Sequence, residues 1–199
     1  MKTVIRKSLV LVTLLIAVTV SYGNEISGNM NKGKIVSTNV TFKDVKKGSI
    51  LSIKDMNGLV LYKESIKLTG DYIKGFDLTS LPDGVYYFEM DTKMEIKKIP
   101  FKVITSVVIL DKASETRVFK PVVFVNNTKK HVHVSKLAIN NEVLNIEILA
   151  ENGDVVYAEK IEKEGDVLGK IYDFSTSDKG VYTIVMKTEG IRFIKNLKI

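Results

Sequence analysis

The chain has no cysteine, no tryptophan, three prolines and two histidines. Without cysteine there are no disulfides, thiolate nucleophiles or thiolate metal sites, and no acylated-cysteine lipid anchor. Each folded part must therefore be held by its own apolar core. Two histidines are too few for a three-histidine metal centre. No dense basic block with interleaved aromatics is present, so no nucleic-acid partner is expected. No Gly-x-Ser-x-Gly elbow, phosphate loop or dinucleotide fingerprint occurs. No long segment has helical periodicity. Short apolar runs separated by turn residues predict an all-β sandwich or barrel.

What is present starts with a leader. Lys2, Arg6 and Lys7 precede twelve mostly apolar residues, Leu9 to Val20, and Ser21-Tyr22-Gly23 puts small residues at the ends of a cleavage tripeptide. This is the three-part pattern of a secretory signal peptide over residues 1–23. The competing reading, a membrane anchor, needs ~20 apolar residues. After cleavage no integral membrane segment is expected. The formal charge of +7 falls to +4 without the leader's three cations. Lysines alternate with apolar residues on the expected strands, as at Lys54, Lys63 and Lys74, where they keep sheet edges soluble. Asn24 to Lys34 reads as a loose leader into the first strand.

The chain then repeats itself at an offset of about 95 residues. Leu51-Ser52-Ile53, Asn57-Gly58 and Val60-Leu61-Tyr62-Lys63-Glu64 recur as Ile146-Glu147-Ile148, Asn152-Gly153 and Val155-Val156-Tyr157-Ala158-Glu159. Asn-Gly between apolar runs predicts a type I′ hairpin turn. One residue further out of step, Phe76-Asp77-Leu78-Thr79-Ser80 and Gly84-Val85-Tyr86 recur as Tyr172-Asp173-Phe174-Ser175-Thr176 and Gly180-Val181-Tyr182. Alternation after each Gly-Val-Tyr marks a strand with one buried face. Tyr86 and Tyr182, two residues past Gly84 and Gly180, fit a tyrosine corner. Pro82 stands where the second copy has Asp178, which predicts a less complete first corner. Phe101-Lys102-Val103 and Leu197-Lys198-Ile199 are matching final strands. Two tandem sandwiches are expected, over 24–112 and 113–199. Asp111 to Thr116 reads as the linker, and 118–125 and 131–139 as strands beyond it.

Few residues offer chemistry. His131 and His133 share one side of a strand, at a spacing that suits a metal if a carboxylate joins them; the alternative is a solvent face beside Lys129 and Lys130. Asp77 and Asp173 stand before turns, where Asp binds backbone N–H groups. Asp55, Asn57, Glu151, Asn152 and Asp154 cluster oxygens at the hairpins, without the acid count and spacing of a calcium loop. Neither a catalytic constellation nor a cofactor is expected.

The repeated blocks resemble the C-terminal sorting domain of the type IX (Por) secretion system. That pattern is an alternating strand, an Asn-Gly turn, a Val-led strand, a corner and a Lys-rich final strand. Residues 51–53, Asn57-Gly58, Val60, 77–81 and 84–86 carry it in the first copy. Residues 146–148, Asn152-Gly153, Val155, 173–175, 180–182, Lys195 and Lys198 carry it in the second. The family's opening Asn-Pro pair is missing from both. The resemblance implies an immunoglobulin-like β-sandwich, and sorting through the outer-membrane secretion machinery or to a cell-surface partner. The expected protein is exported (to the periplasm, the outer surface or the medium) and non-catalytic, acting in sorting or binding at the cell envelope. A periplasmic structural or adhesive protein is the alternative, and a small hydrolase or carbohydrate-binding protein a further one.

Overall fold

A computed structural model describes residues 37–139, 141–162 and 165–199. The leader and the Gly/Asn-rich stretch after it lie outside the described residues. The described chain is all-β, an immunoglobulin-like layering of sheets with no α-helix. Its first part holds β1 (Thr38–Val45), β2 (Ile50–Asp55), β3 (Val60–Ser65), β4 (Gly70–Phe76), β5 (Gly84–Asp91), β6 (Glu95–Ile104), β7 (Val107–Leu110) and β8 (Thr116–Phe119). Its second part holds β9 (Val122–Asn126), β10 (His131–Leu137), β11 (Leu144–Leu149), β12 (Val155–Ile161), β13 (Val167–Asp173), β14 (Val181–Thr188) and β15 (Ile191–Lys198).

The repeat survives as topology. The order β3-β2-β5-β6 recurs as β12-β11-β14-β15, and the pair β1-β4 recurs as β10-β13. In each part the small sheet packs on the large one, because alternate residues of both are apolar. Val40, Phe42 and Phe76 meet Leu51, Ile53, Phe88 and Phe101 in one core. Val132, Val134, Leu168 and Tyr172 meet Ile146, Ile148, Ile184 and Leu197 in a separate one. The first core is threaded by rings, with Phe76–Phe88 centroids at 5.4 Å and Phe88–Phe101 at 4.9 Å. The matching positions Ile184 and Leu197 make the second core more aliphatic.

Each part adds strands where the other does not. The first extends its large sheet: β7 pairs with 101–104 of β6 and β8 pairs with 95–98. Pro100 has no N–H to give and falls in the gap between these partners, while its carbonyl accepts the Asp111 N–H at 2.9 Å. That is how a proline survives inside a sheet. The second part extends its small sheet, where β9 pairs with β10.

Three expectations need correction. Thr116 is expected in the linker and Val118-Phe119 beyond it, yet Thr116–Phe119 hydrogen-bonds to β6. Lys112–Ser114 is a short 3₁₀ turn capped by Asp111, and it runs into β8 rather than forming a linker. The crossing to the second core comes at Lys120-Pro121, where proline interrupts the apolar run 118–125 that had read as one strand. The Asn-Gly hairpins are not type I′, since φ is positive at Gly58 (85°) and Gly153 (89°) but not at either Asn. Gly58 N–H donates to the Asp55 carbonyl (3.0 Å) and Asp55 N–H to the Leu59 carbonyl (3.1 Å), with the same pattern at Ala150, Gly153 and Asp154. This is a three-residue loop, a type I turn closed by a left-handed glycine. Asp55 Oδ1 favours it by accepting the Asn57 and Leu59 N–H groups. Finally, the first corner is complete. Tyr86 donates to the Pro82 carbonyl at 2.8 Å and Tyr182 to the Asp178 carbonyl at 3.0 Å. The acceptor is backbone, so the side chain four residues upstream is immaterial.

Candidate functional site

The solvent face of the sheet β13-β10-β9 gathers exposed apolar side chains from all three of its strands. On β10 Val132, Val134 and Lys136 point inward, leaving His131, His133, Ser135 and Leu137 outward. Register then sets rows across three strands. His133 lies between Phe124 and Ile171, Ser135 between Val122 and Gly169, and His131 between Asn126 and Asp173. Leu137 faces Val167. Phe124, Ile171 and Val167 are 62%, 57% and 60% exposed, and Val122 and Leu137 are also exposed. Gly169 leaves a low floor beside Ser135. The result is an apolar platform with an imidazole row along its middle.

The equivalent face of β1-β4 lacks this character. Its outward positions are Asn39, Thr41, Lys43, Asp71, Ile73 and Gly75, with one apolar side chain among them. The difference comes from β9, which has no counterpart in the first part, and from β13, which is apolar on both sides. Sequence reasoning found the two histidines and missed the platform. The signal was there in Val167-Leu168 and Ile171-Tyr172, adjacent apolar pairs that put a hydrophobic residue on each face.

The platform has little titratable chemistry. The ring centroids of His131 and His133 are 6.5 Å apart, and Phe124 meets His133 edge-on at 5.8 Å. His131 Nε2 lies 3.8 Å from Asp173 Oδ1. Among the described residues no group of three His, Asp or Glu side chains is placed to hold a metal ion. Asp173 is engaged by the Ser175 N–H at 2.7 Å, which together with the Ser175 side chain holds its carboxyl below the usual range. Asp77 accepts from the Thr79 hydroxyl and N–H, with the same effect. The two aspartates are exposed residues before turns in different parts of the chain and share no site.

A second constellation recurs on the flank where the large and small sheets meet. Lys74 Nζ donates to Glu64 Oε2 at 2.7 Å and to the Tyr62 hydroxyl at 2.6 Å, and Tyr72 also donates to Glu64. In the second part Tyr172 donates to Glu159 at 2.5 Å and Lys170 lies 3.4 Å from the same carboxylate. Burial works to raise the Glu64 carboxyl, but the bonds from Lys74 and Tyr62 outweigh it and lower it. The bond to Glu64 raises Lys74. Burial, then the Glu159 bond, pushes the Tyr172 phenol up. These groups hold their protons or charges firmly at neutral pH, so the constellation ties the two sheets together rather than moving protons. Tyr62 and Tyr72 thus hydrogen-bond to the Lys74–Glu64 ion pair at the rim of the first core.

The remaining motif residues are turn and corner elements. Asn57-Gly58 and Asn152-Gly153 close the hairpins described above. Gly84 opens β5 and Gly180 precedes β14, and a side chain at Gly84 would touch the Tyr86 ring at 3.4 Å. Asn152 and Asp154 bond to each other. No helix among the described residues is long and apolar enough to cross a membrane.

No family model matches the chain, and no curated protein matches it. Among solved structures it is similar to the BSP domain of a biofilm-associated protein, at 12% identity and a TM-score of 0.29 over 81% of this chain and 27% of the other. It is also similar to the CD2-binding domain of CD58 (lymphocyte function-associated antigen 3), at 12% identity and a TM-score of 0.28 over 81% of this chain and 91% of that one. The chain thus spans about a quarter of the biofilm-associated structure. Similarity at this level concerns β-architecture alone.

Proposed function

We propose that this is an exported, non-catalytic protein of two tandem β-sandwich domains, the second of which binds a partner at the cell envelope through the face of β9, β10 and β13. The observation that carries the reading is the contrast between the two halves. They share one topology, yet the small sheet of one presents an apolar platform where that of the other presents a mostly polar face. Contiguous exposed apolar patches on soluble proteins mark interaction sites. The leader pattern at 1–23 supports export. The resemblance of the second repeat to a secretion sorting domain supports its use as an address, with outer-membrane machinery or a cell-surface component as the partner.

The test is fractionation of the native host, with the intact mass of the protein in each fraction. Wild type is expected in an envelope-bound or released form that starts near Asn24. A Val167→Lys/Ile171→Lys variant, checked for folding by circular dichroism, should move to the soluble periplasm. An unchanged distribution of the folded variant would remove the platform from the reading. A chain found only in the cytoplasm would remove export.

A further inference from the structure

We propose that β9 is a self-pairing edge, through which two copies of this chain join antiparallel about Phe124. Among the described residues β10 is the strand that hydrogen-bonds to β9, on one side. Its other side pairs with no strand among the described residues, which leaves a template for a further strand. The remaining edges are blunted by charge. β1 carries Lys43 and Asp44, β3 Lys63 and Glu64, β4 Asp71 and Lys74, β8 Arg117, β12 Glu159 and Lys160, β13 Lys170 and Asp173, and β15 Arg192, Lys195 and Lys198. Only β7 and β9 have none, and β9 (Val-Val-Phe-Val-Asn) is the longer and has an aromatic centre.

The occupant follows from charge and symmetry. In a two-fold antiparallel pair each residue faces a residue of the same strand, so an edge charged with one sign alone, such as β15, brings like charges close. Without the leader's three cations the chain keeps a formal charge of +4, which disfavours self-pairing through its basic edges. β9 avoids that penalty. Pairing about Phe124 sets Phe124 against Phe124 and Val122 against Asn126 on the solvent face, with Val123 against Val125 on the core side. Two three-stranded sheets become one of six strands, and the two apolar platforms become continuous. The pairing does not depend on the envelope role proposed above.

The experiment is sedimentation velocity on the mature chain across the micromolar range, beside Phe124→Lys and Phe124→Glu. Wild type should show a concentration-dependent dimer, and each variant alone should lose it. Mixing the two variants in equal amounts should restore a dimer containing one of each, identified by native mass spectrometry. A misfolded variant would not be rescued by mixing. Hydrogen exchange on wild type gives a reading that needs no variant: the Val123 to Asn126 amides should slow as concentration rises. A wild type that stays monomeric, a dimer that survives Phe124→Lys, or β9 amides indifferent to concentration would each overturn the proposal. So would a chain that stays monomeric while binding anionic phospholipid vesicles through this strand.

Discussion

Lys136 stands in the second core where the first has Phe42. The equivalence follows from register: Phe42 pairs with Tyr72 and Lys136 with Leu168, positions 96 residues apart in the repeat. The Lys136 side chain is 0% exposed, and its ammonium meets the carboxylate of Glu142, itself 4% exposed. Nζ also donates to the Leu137 carbonyl at 3.2 Å. Burial pushes the ammonium below its ordinary range, against a smaller opposing pull from Glu189. Glu142→Ala removes the counter-ion and leaves one carbonyl for a buried cation. Breaking a buried pair this way costs ~3–5 kcal/mol, or ~10 °C in Tm for a chain of this size. Replacing both partners with apolar residues, as in Lys136→Met/Glu142→Leu, removes the desolvation cost as well as the attraction. That variant should match wild type or exceed it by ~1–4 kcal/mol. With no tryptophan to report, the assay is urea unfolding followed by far-ultraviolet circular dichroism on wild type and both variants. A Glu142→Ala cost below ~1 kcal/mol would mean that water reaches the ammonium, and would refute the buried-pair account.

Three further outcomes are expected. Tyr182→Phe should cost ~1 kcal/mol in urea unfolding through the lost bond to the Asp178 carbonyl, and Tyr182→Val ~1–3 kcal/mol through lost packing as well; equal stability of all three would discard the corner. Thr105 and Ser106 form a two-residue turn with φ of 48° and 62° between paired Ile104 and Val107, so Thr105→Asn/Ser106→Gly should raise stability by ~1 kcal/mol, read as a higher urea midpoint at constant slope. The Glu64–Lys74 pair sets a pH window. The lowered carboxyl contributes stability that is lost as pH falls below its ordinary 4.5, and the raised ammonium contributes stability that is lost as pH climbs above 10.5. Because both groups are partly exposed, each limb is worth only ~0.2–1 kcal/mol; Glu64→Gln should flatten the acid limb of a melting-temperature profile against pH.

Much of the architecture was legible in the sequence because alternation and turn chemistry are local. The Asn-Gly and Gly-Val-Tyr blocks located hairpins and corners in both copies. What was not legible depended on register between distant strands. Lysine on an alternating strand reads as solvent-facing, yet Lys136 takes an inward position that Val132 and Val134 share, and only pairing with β13 shows that Glu142 meets it. Asn-Gly specifies a tight turn without fixing its type. The Asp55 carboxylate, bonded to two N–H groups of the loop, helps to select the three-residue form. Pro121 was a readable break inside 118–125, and its neighbour β8 returned to β6 because that edge was open. The platform was hidden for the same reason, since its rows draw on strands about 45 residues apart.

The two halves solve the edge problem in different places, and that accounts for their different surfaces. The first covers the outer edge of its large sheet with β7 and β8, so its small sheet stays two strands wide, with a polar face of Asn39, Thr41, Lys43 and Asp71. The second leaves β15 uncovered, and β15 tolerates exposure because Arg192, Lys195 and Lys198 line it. Its extra strand goes to the small sheet instead, widening it to three. A wider sheet has room for an outward apolar row on each strand, and β9 and β13 supply one. A duplicated scaffold whose small-sheet face is polar in one half and broadly apolar in the other has the form of a stable core plus a contact surface. The interaction proposals therefore rest on β9, the strand that the repeat does not predict.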